Sequence, residues 1–69
     1  MKVIVSNSDI MSGACVFYGT RVPFQTMMDY LESGETLNTF LEDFPTVSRE
    51  QAIMALEQAK HALTNEVAA

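Results

Sequence analysis

Two hydrophobic periods divide the chain. Up to Tyr18 the apolar residues come in short, β-branched runs, and from Pro23 onward they recur at helical spacing. Lys2 to Val5 predicts a strand over about 2–5, closed by the turn formers Ser6-Asn7-Ser8-Asp9. Ala14-Cys15-Val16-Phe17-Tyr18 predicts a second strand over about 14–18, bounded by Gly19-Thr20. Between them, Ile10 and Met11 suggest a loop that folds apolar side chains back onto the core. The strands can pair with each other or with their copies in a second subunit. Two strands alone are marginal in water, so they need helices or a partner to pack on.

Phe24, Met27, Met28 and Leu31 stand at i, i+3, i+4 and i+7, which predicts a helix over about 23–33. Pro23 suits its first turn, where a missing N–H is no loss, and Gly34 suits its end. Leu37, Phe40, Leu41 and Phe44 repeat the stripe and predict a helix over about 36–44, with Thr36 as N-cap and Pro45 as terminator. Ser48 and Gln51 form an S-x-x-Q capping box, with Val47 and Ala52 as its hydrophobic staple, and open a third helix over about 48–63. Its buried side reads as Ala52, Ile53, Leu56, Ala59 and Leu63. Glu57 is spaced to pair with Lys60 and His61, and the tail from Thr64 to Ala69 is expected to fray.

The fold class that follows is mainly α: a short N-terminal strand pair and then a three-helix bundle, in a single domain over 1–69. Only Pro45-Thr46-Val47 separates the second and third helices. That connection has the length of a helix-turn-helix, whose second helix is presented to DNA, although any small bundle also needs short connections.

Composition sharpens this picture. Sixty-nine residues allow one domain. A core of that size rarely supplies more than ~3–5 kcal/mol, so a staple or a partner is the usual supplement. The one cysteine, Cys15, rules out an internal disulfide, and with the one histidine, His61, it cannot make a zinc site. A homodimer is therefore expected. The apolar fraction of 48% is that of a folded chain. Nine Asp+Glu against four Lys+Arg, a net charge of −5, argues against a general polyanion binder. No apolar run approaches a signal segment or the ~20 residues of a membrane span, so a cytoplasmic, membrane-free protein is expected. A free thiol fits a reducing compartment.

The box Gly19-Thr20-Arg21-Val22-Pro23, then Ser33-Gly34, Phe44-Pro45 and Gln51-Ala52-Ile53-Met54-Ala55-Leu56-Glu57-Gln58-Ala59, resembles the small bacterial and archaeal proteins known as domain of unknown function 433. Their pattern is a G-T-R-[IV]-P box, a helix ending in Gly, a helix ending in [YF]-P, and a helix of the type x-x-[IV]-x-x-A-L-x-x-A. The likeness spans roughly residues 10–63. The chain departs from the pattern at Gly13-Ala14-Cys15, where the family often has Gly-Gly or Gly-x-Pro. The resemblance implies a winged-helix-like trihelical domain related to helix-turn-helix proteins. It also implies the antitoxin side of a VapBC-type toxin–antitoxin module, paired with a PIN-like ribonuclease toxin.

If the third helix reads operator DNA, Thr46, Ser48, Arg49 and Gln51 meet the groove: Arg and Gln suit guanine and adenine edges, Ser and Thr suit phosphate. Ser48 and Gln51 are equally explained as a capping box, and Glu50 between them repels phosphate. Arg21 can hold a phosphate or carboxylate through paired hydrogen bonds, or serve the corner that Gly19 and Thr20 build. Lys2, Arg21, Arg49 and Lys60 are the whole basic inventory. Phe24, Met27, Met28, Phe40 and Phe44 read as core. Tyr18, Tyr30 and Met54 lie off the stripes and, with Val3, Val5 and Phe17, are candidate partner or dimer contacts. Cys15 and His61 have no orienting third residue, and the chain has no phosphate loop and no HExxH. No enzyme, catalytic residue, cofactor or metal is expected. Two functions stand: a dimeric helix-turn-helix antitoxin that represses its own operator, or an acidic module that binds a basic, toxin-like ribonuclease without binding DNA.

Overall fold

The computed structural model describes residues 2–6 and 13–68, with side chains up to Asn65. The loop expected to fold Ile10 and Met11 onto the core lies outside the described residues, as do Asn7 to Asp9. Two strands, β1 (Ile4–Ser6) and β2 (Cys15–Phe17), precede three helices, α1 (Phe24–Glu32), α2 (Leu37–Asp43) and α3 (Arg49–Ala68). The strands pair with each other, antiparallel, with Ile4 opposite Phe17, Val5 opposite Val16 and Ser6 opposite Cys15. Each is shorter than its apolar run, although the Tyr18 N–H still donates to the Val3 carbonyl at 2.8 Å beyond the ladder.

The Gly-Thr-Arg-Val-Pro box is the corner between sheet and bundle. Gly19 has φ of 81°, which a residue with a Cβ adopts only at a cost, and lets the Thr20 N–H turn back to the Phe17 carbonyl. The Thr20 hydroxyl donates to that same carbonyl at 2.9 Å and accepts the Val22 N–H at 3.0 Å. The Phe17 N–H donates to the Val22 carbonyl, so the chain enters α1 already fixed to β2. Pro23 stands at the N-cap of α1, one residue before the position expected, with φ −68° and ψ 144°.

Val3, Phe17, Met27, Phe40, Val47, Ala52 and Ala55 form the core. Phe40 is its hub: its ring lies 6.1 Å from Phe17, 5.5 Å from Tyr30 and 5.2 Å from Phe44. On α3 the row that meets this core is Ala52 and Ala55, and the expectation for Ile53 and Leu63 is corrected: they are 44% and 64% exposed. Ile53 is rotated about 100° from Ala52 around the helix. Leu63 lies beyond the reach of the other elements. The helix also runs on to Ala68 rather than fraying after Leu63. The segment holds no Gly or Pro to stop it.

Candidate functional site

The geometry between α1 and α2 begins at Gly34. Its φ of 94° ends α1 in a Schellman motif, with the Glu35 N–H on the Tyr30 carbonyl and the Gly34 N–H on the Leu31 carbonyl. Two residues later the Thr36 hydroxyl caps α2 by accepting the Thr39 N–H at 3.1 Å. This tight reversal sets the end of α1 beside α2 and leaves a shallow groove of about 450 Å3, lined by Asp29, Tyr30, Ser33, Glu35, Thr39 and Asp43.

Tyr30 spans the groove. Its ring packs edge-on against Phe40 and Phe44, and its hydroxyl donates to Asp43 Oδ2 at 2.6 Å. That hydrogen bond, then partial desolvation and the negative charges of Asp43 and Glu35, raise the phenol pKa above its ordinary 10.0. A raised pKa in the folded state means a stabilising contribution that is full below pH 10.0 and lost as pH rises through the higher folded value. A Tyr30→Phe variant is therefore expected to flatten the alkaline limb of stability against pH, read as the urea midpoint across that range.

The acids of this region are placed against the helix dipoles. Asp29 and Glu32 lie toward the end of α1, and Glu42 and Asp43 close α2, with no basic residue in either last turn. Carboxylates there add to the partial negative charge of the terminal carbonyls, which locally destabilises a helix. From Val22 to Ser48 the chain carries Asp29, Glu32, Glu35, Glu42 and Asp43 and not one Lys or Arg. This segregation was present in the sequence but is hidden by the net charge. A surface that keeps such mutual repulsion is chemically suited to cations, above all to the planar guanidinium of Arg.

The residues expected at a DNA groove divide. Thr46, Ser48 and Arg49 are exposed together at the α2–α3 turn. Ser48 accepts the Gln51 N–H at 3.0 Å, the first half of the capping box, and Arg49 is hydrogen-bonded to Asn38 across from α2. Gln51 does not complete the box and does not face a groove. Its side-chain amide donates to the Tyr18 carbonyl at 2.9 Å and to the Val3 carbonyl at 3.4 Å, tying α3 to the strand ends. No local pattern signals a contact made so far along the chain. Through it, the corner that carries exposed Arg21 adjoins the start of α3. Lys60, elsewhere on α3, is paired with Glu57 at 2.8 Å, and its hydrogen bond and charge hold that carboxyl below its ordinary pKa.

Among the expected partner contacts, Val3 and Phe17 are corrected: they are 1% and 0% exposed, inside the chain's own core and out of reach of a partner. Val5 is half-buried in β1, and Met54 is half-buried against the core. Tyr30 forms the groove just described, and Tyr18 is 54% exposed. Cys15 and His61 are both exposed, on separate elements. Among the described residues no group of three His, Cys, Asp or Glu side chains is placed to hold a metal ion, and no helix is long and apolar enough to cross a membrane.

A family model described as Protein of unknown function (DUF433) matches residues 4–59. No curated protein and no solved structure matches the chain.

Proposed function

The chain belongs to the DUF433 family, and we propose that it is an interaction protein of antitoxin type, whose acidic α1–α2 groove holds a basic protein partner. The observation that carries this reading is the groove itself. Asp29, Glu35 and Asp43 line it within a stretch that has no base, and two of its acids oppose their own helix dipoles. Local rules broken in this way are expected where binding sets the sequence. Docked Arg or Lys side chains relieve the repulsion, and the partner loses the basic surface with which it would meet RNA. A PIN-like ribonuclease, implied by the family resemblance, fits that chemistry. A cytoplasmic homodimer is part of the reading, because a core this small gains from a second copy.

A second reading, repression of its own operator through the helix-turn-helix, is favoured by one observation. Arg49 is exposed at the start of α3 and steadied by Asn38, with Thr46 and Ser48 beside it. Titration calorimetry with the product of the adjoining reading frame tests the first reading: a complex that weakens with salt is expected, and no complex at low salt refutes it. Gel retardation of the chain's own promoter tests the second, with Arg49→Ala expected to abolish any shift.

A further inference from the structure

The junction of the strands with α3 gathers cations that are scattered in the sequence. The Gln51 amide donates to the Tyr18 and Val3 carbonyls at 2.9 and 3.4 Å. Lys2 precedes Val3, Arg21 follows Tyr18 by three residues, and Arg49 precedes Gln51 by two. Lys2, Tyr18, Arg21 and Arg49 are all exposed. Among the described residues only Lys60 is ion-paired, with Glu57, and the one acid within three residues of Val3, Tyr18 or Gln51 is Glu50. The junction is at the end of the hairpin away from the connection 7–12. That connection leaves from Ser6, opposite Cys15, whereas the Tyr18 N–H meets the Val3 carbonyl beyond the other end of the ladder. An aromatic ring stands among these cations. Phe17, Phe24, Tyr30, Phe40 and Phe44 pack on one another. Tyr18, next to buried Phe17, is turned by strand alternation to the outer face and is 54% exposed.

We propose that this face binds single-stranded nucleic acid, with a base stacked on the Tyr18 ring and the neighbouring phosphates held by Lys2, Arg21 and Arg49. A single strand offers what the face can take: bases with open π-faces along a backbone of regular negative charge. A duplex buries those faces and shows only base edges, which side-chain amides and hydroxyls read. Here such groups are already committed. The Gln51 amide is held by two carbonyls, and the Ser48 hydroxyl accepts the Gln51 N–H. Charge and one ring remain, a combination that tolerates many sequences. Arg49, hydrogen-bonded to Asn38, forms the edge of the face toward α2. The net charge of −5 is not the charge of this face, where three cations outnumber Glu50. Exposed charges more than ~10 Å away are largely screened at about 0.1 M salt. None of the four residues lines the acidic groove, so the inference goes beyond both functional readings above and depends on neither.

Fluorescence anisotropy of labelled uridylate and thymidylate strands of about 12 nucleotides, titrated with the full chain, tests it. Binding of either strand is expected, and their ratio tells RNA from DNA. Three phosphate contacts predict a slope of log affinity on log salt of about −2 between ~0.05 and ~0.2 M, and Arg21→Ala is expected to reduce it by about 0.7. Tyr18→Ala removes a side chain whose backbone makes the junction's hydrogen bonds, and is expected to keep its helical circular dichroism. It is expected to weaken binding at least about fivefold, the lower end of one stacked base, while Tyr18→Phe binds as the wild type does. The chain has no Trp, so quenching of its tyrosine emission on binding reports the stack directly, and both Tyr18 variants are expected to lose it. No binding at ~0.05 M salt overturns the proposal, as does affinity indifferent to both Tyr18→Ala and Arg21→Ala. A duplex bound more tightly than the single strand, with Arg49→Ala decisive and Tyr18→Ala silent, also overturns it and leaves the operator reading standing.

Discussion

Replacement of Phe40 by alanine is expected to leave the chain largely unfolded at 25 °C. Phe40 is fully buried, and its ring meets Phe17 of β2, Tyr30 of α1 and Phe44 at the end of α2. The site therefore joins sheet to bundle, and the described residues form no second core cluster of comparable size to hold them together. Truncating a buried Phe costs about 3–5 kcal/mol through lost transfer energy and the cavity left behind. At ~0.05–0.15 kcal/mol per residue the whole domain is stable by roughly 3–10 kcal/mol, so the loss approaches the total. Thermal and urea melts followed by circular dichroism check this, with Ile53→Ala as the control. Ile53 is 44% exposed, and its truncation is expected to leave the midpoint nearly unchanged. Equal effects at the two sites would show that the aromatic cluster is not what holds the fold.

Charge reversal in the groove is expected to have the largest effect on binding. Asp43→Lys removes the acceptor of the Tyr30 hydroxyl and puts a cation where the partner's cation sits, and Asp29→Lys repeats the reversal across the groove. Like charges brought together at an interface cost several kcal/mol when desolvated and less at a wet rim. For this shallow groove a loss of about tenfold per substitution is expected, or ~1.4 kcal/mol each. Calorimetry at two salt concentrations reads both the affinity and its salt slope, which is expected to flatten in the double variant. Arg49→Ala is expected to leave the protein complex intact. A DNA-centred function reverses the pattern: Arg49→Ala abolishes the operator shift, and the two lysine variants strengthen it by reducing repulsion of phosphate. An unchanged affinity in the double variant would remove the basic-partner reading.

The elements were legible because their signals are local. The i, i+3, i+4, i+7 stripes of α1 and α2, Gly34 past the first helix, the Thr36 cap and Ser48 as the cap of the third are all decided within one or two turns. The structural part of the Gly-Thr-Arg-Val-Pro box was legible for the same reason, since the hydrogen bonds among Phe17, Thr20 and Val22 close within five residues. The site was less so. Gln51 satisfies every local criterion of a capping box, yet its amide is claimed by a carbonyl of residue 18. The acids of the groove give no local signal, because their shared location depends on how α1 and α2 are turned on each other.

From its sequence alone this protein is determined as two short strands and three helices, opened at nearly the right residues and, except for α3, closed there too, with membership of its family carried by the same local boxes. Local backbone preference and hydrophobic period need no information from elsewhere in the chain. Only the tertiary structure decided which apolar residues are covered: Val3 and Phe17 inside, Ile53 and Leu63 outside. It likewise brought Asp29, Glu35 and Asp43 around Tyr30. Periodicity fixes a face but not what stands opposite it. A helix of 20 residues in a domain this small has more face than the other described residues cover.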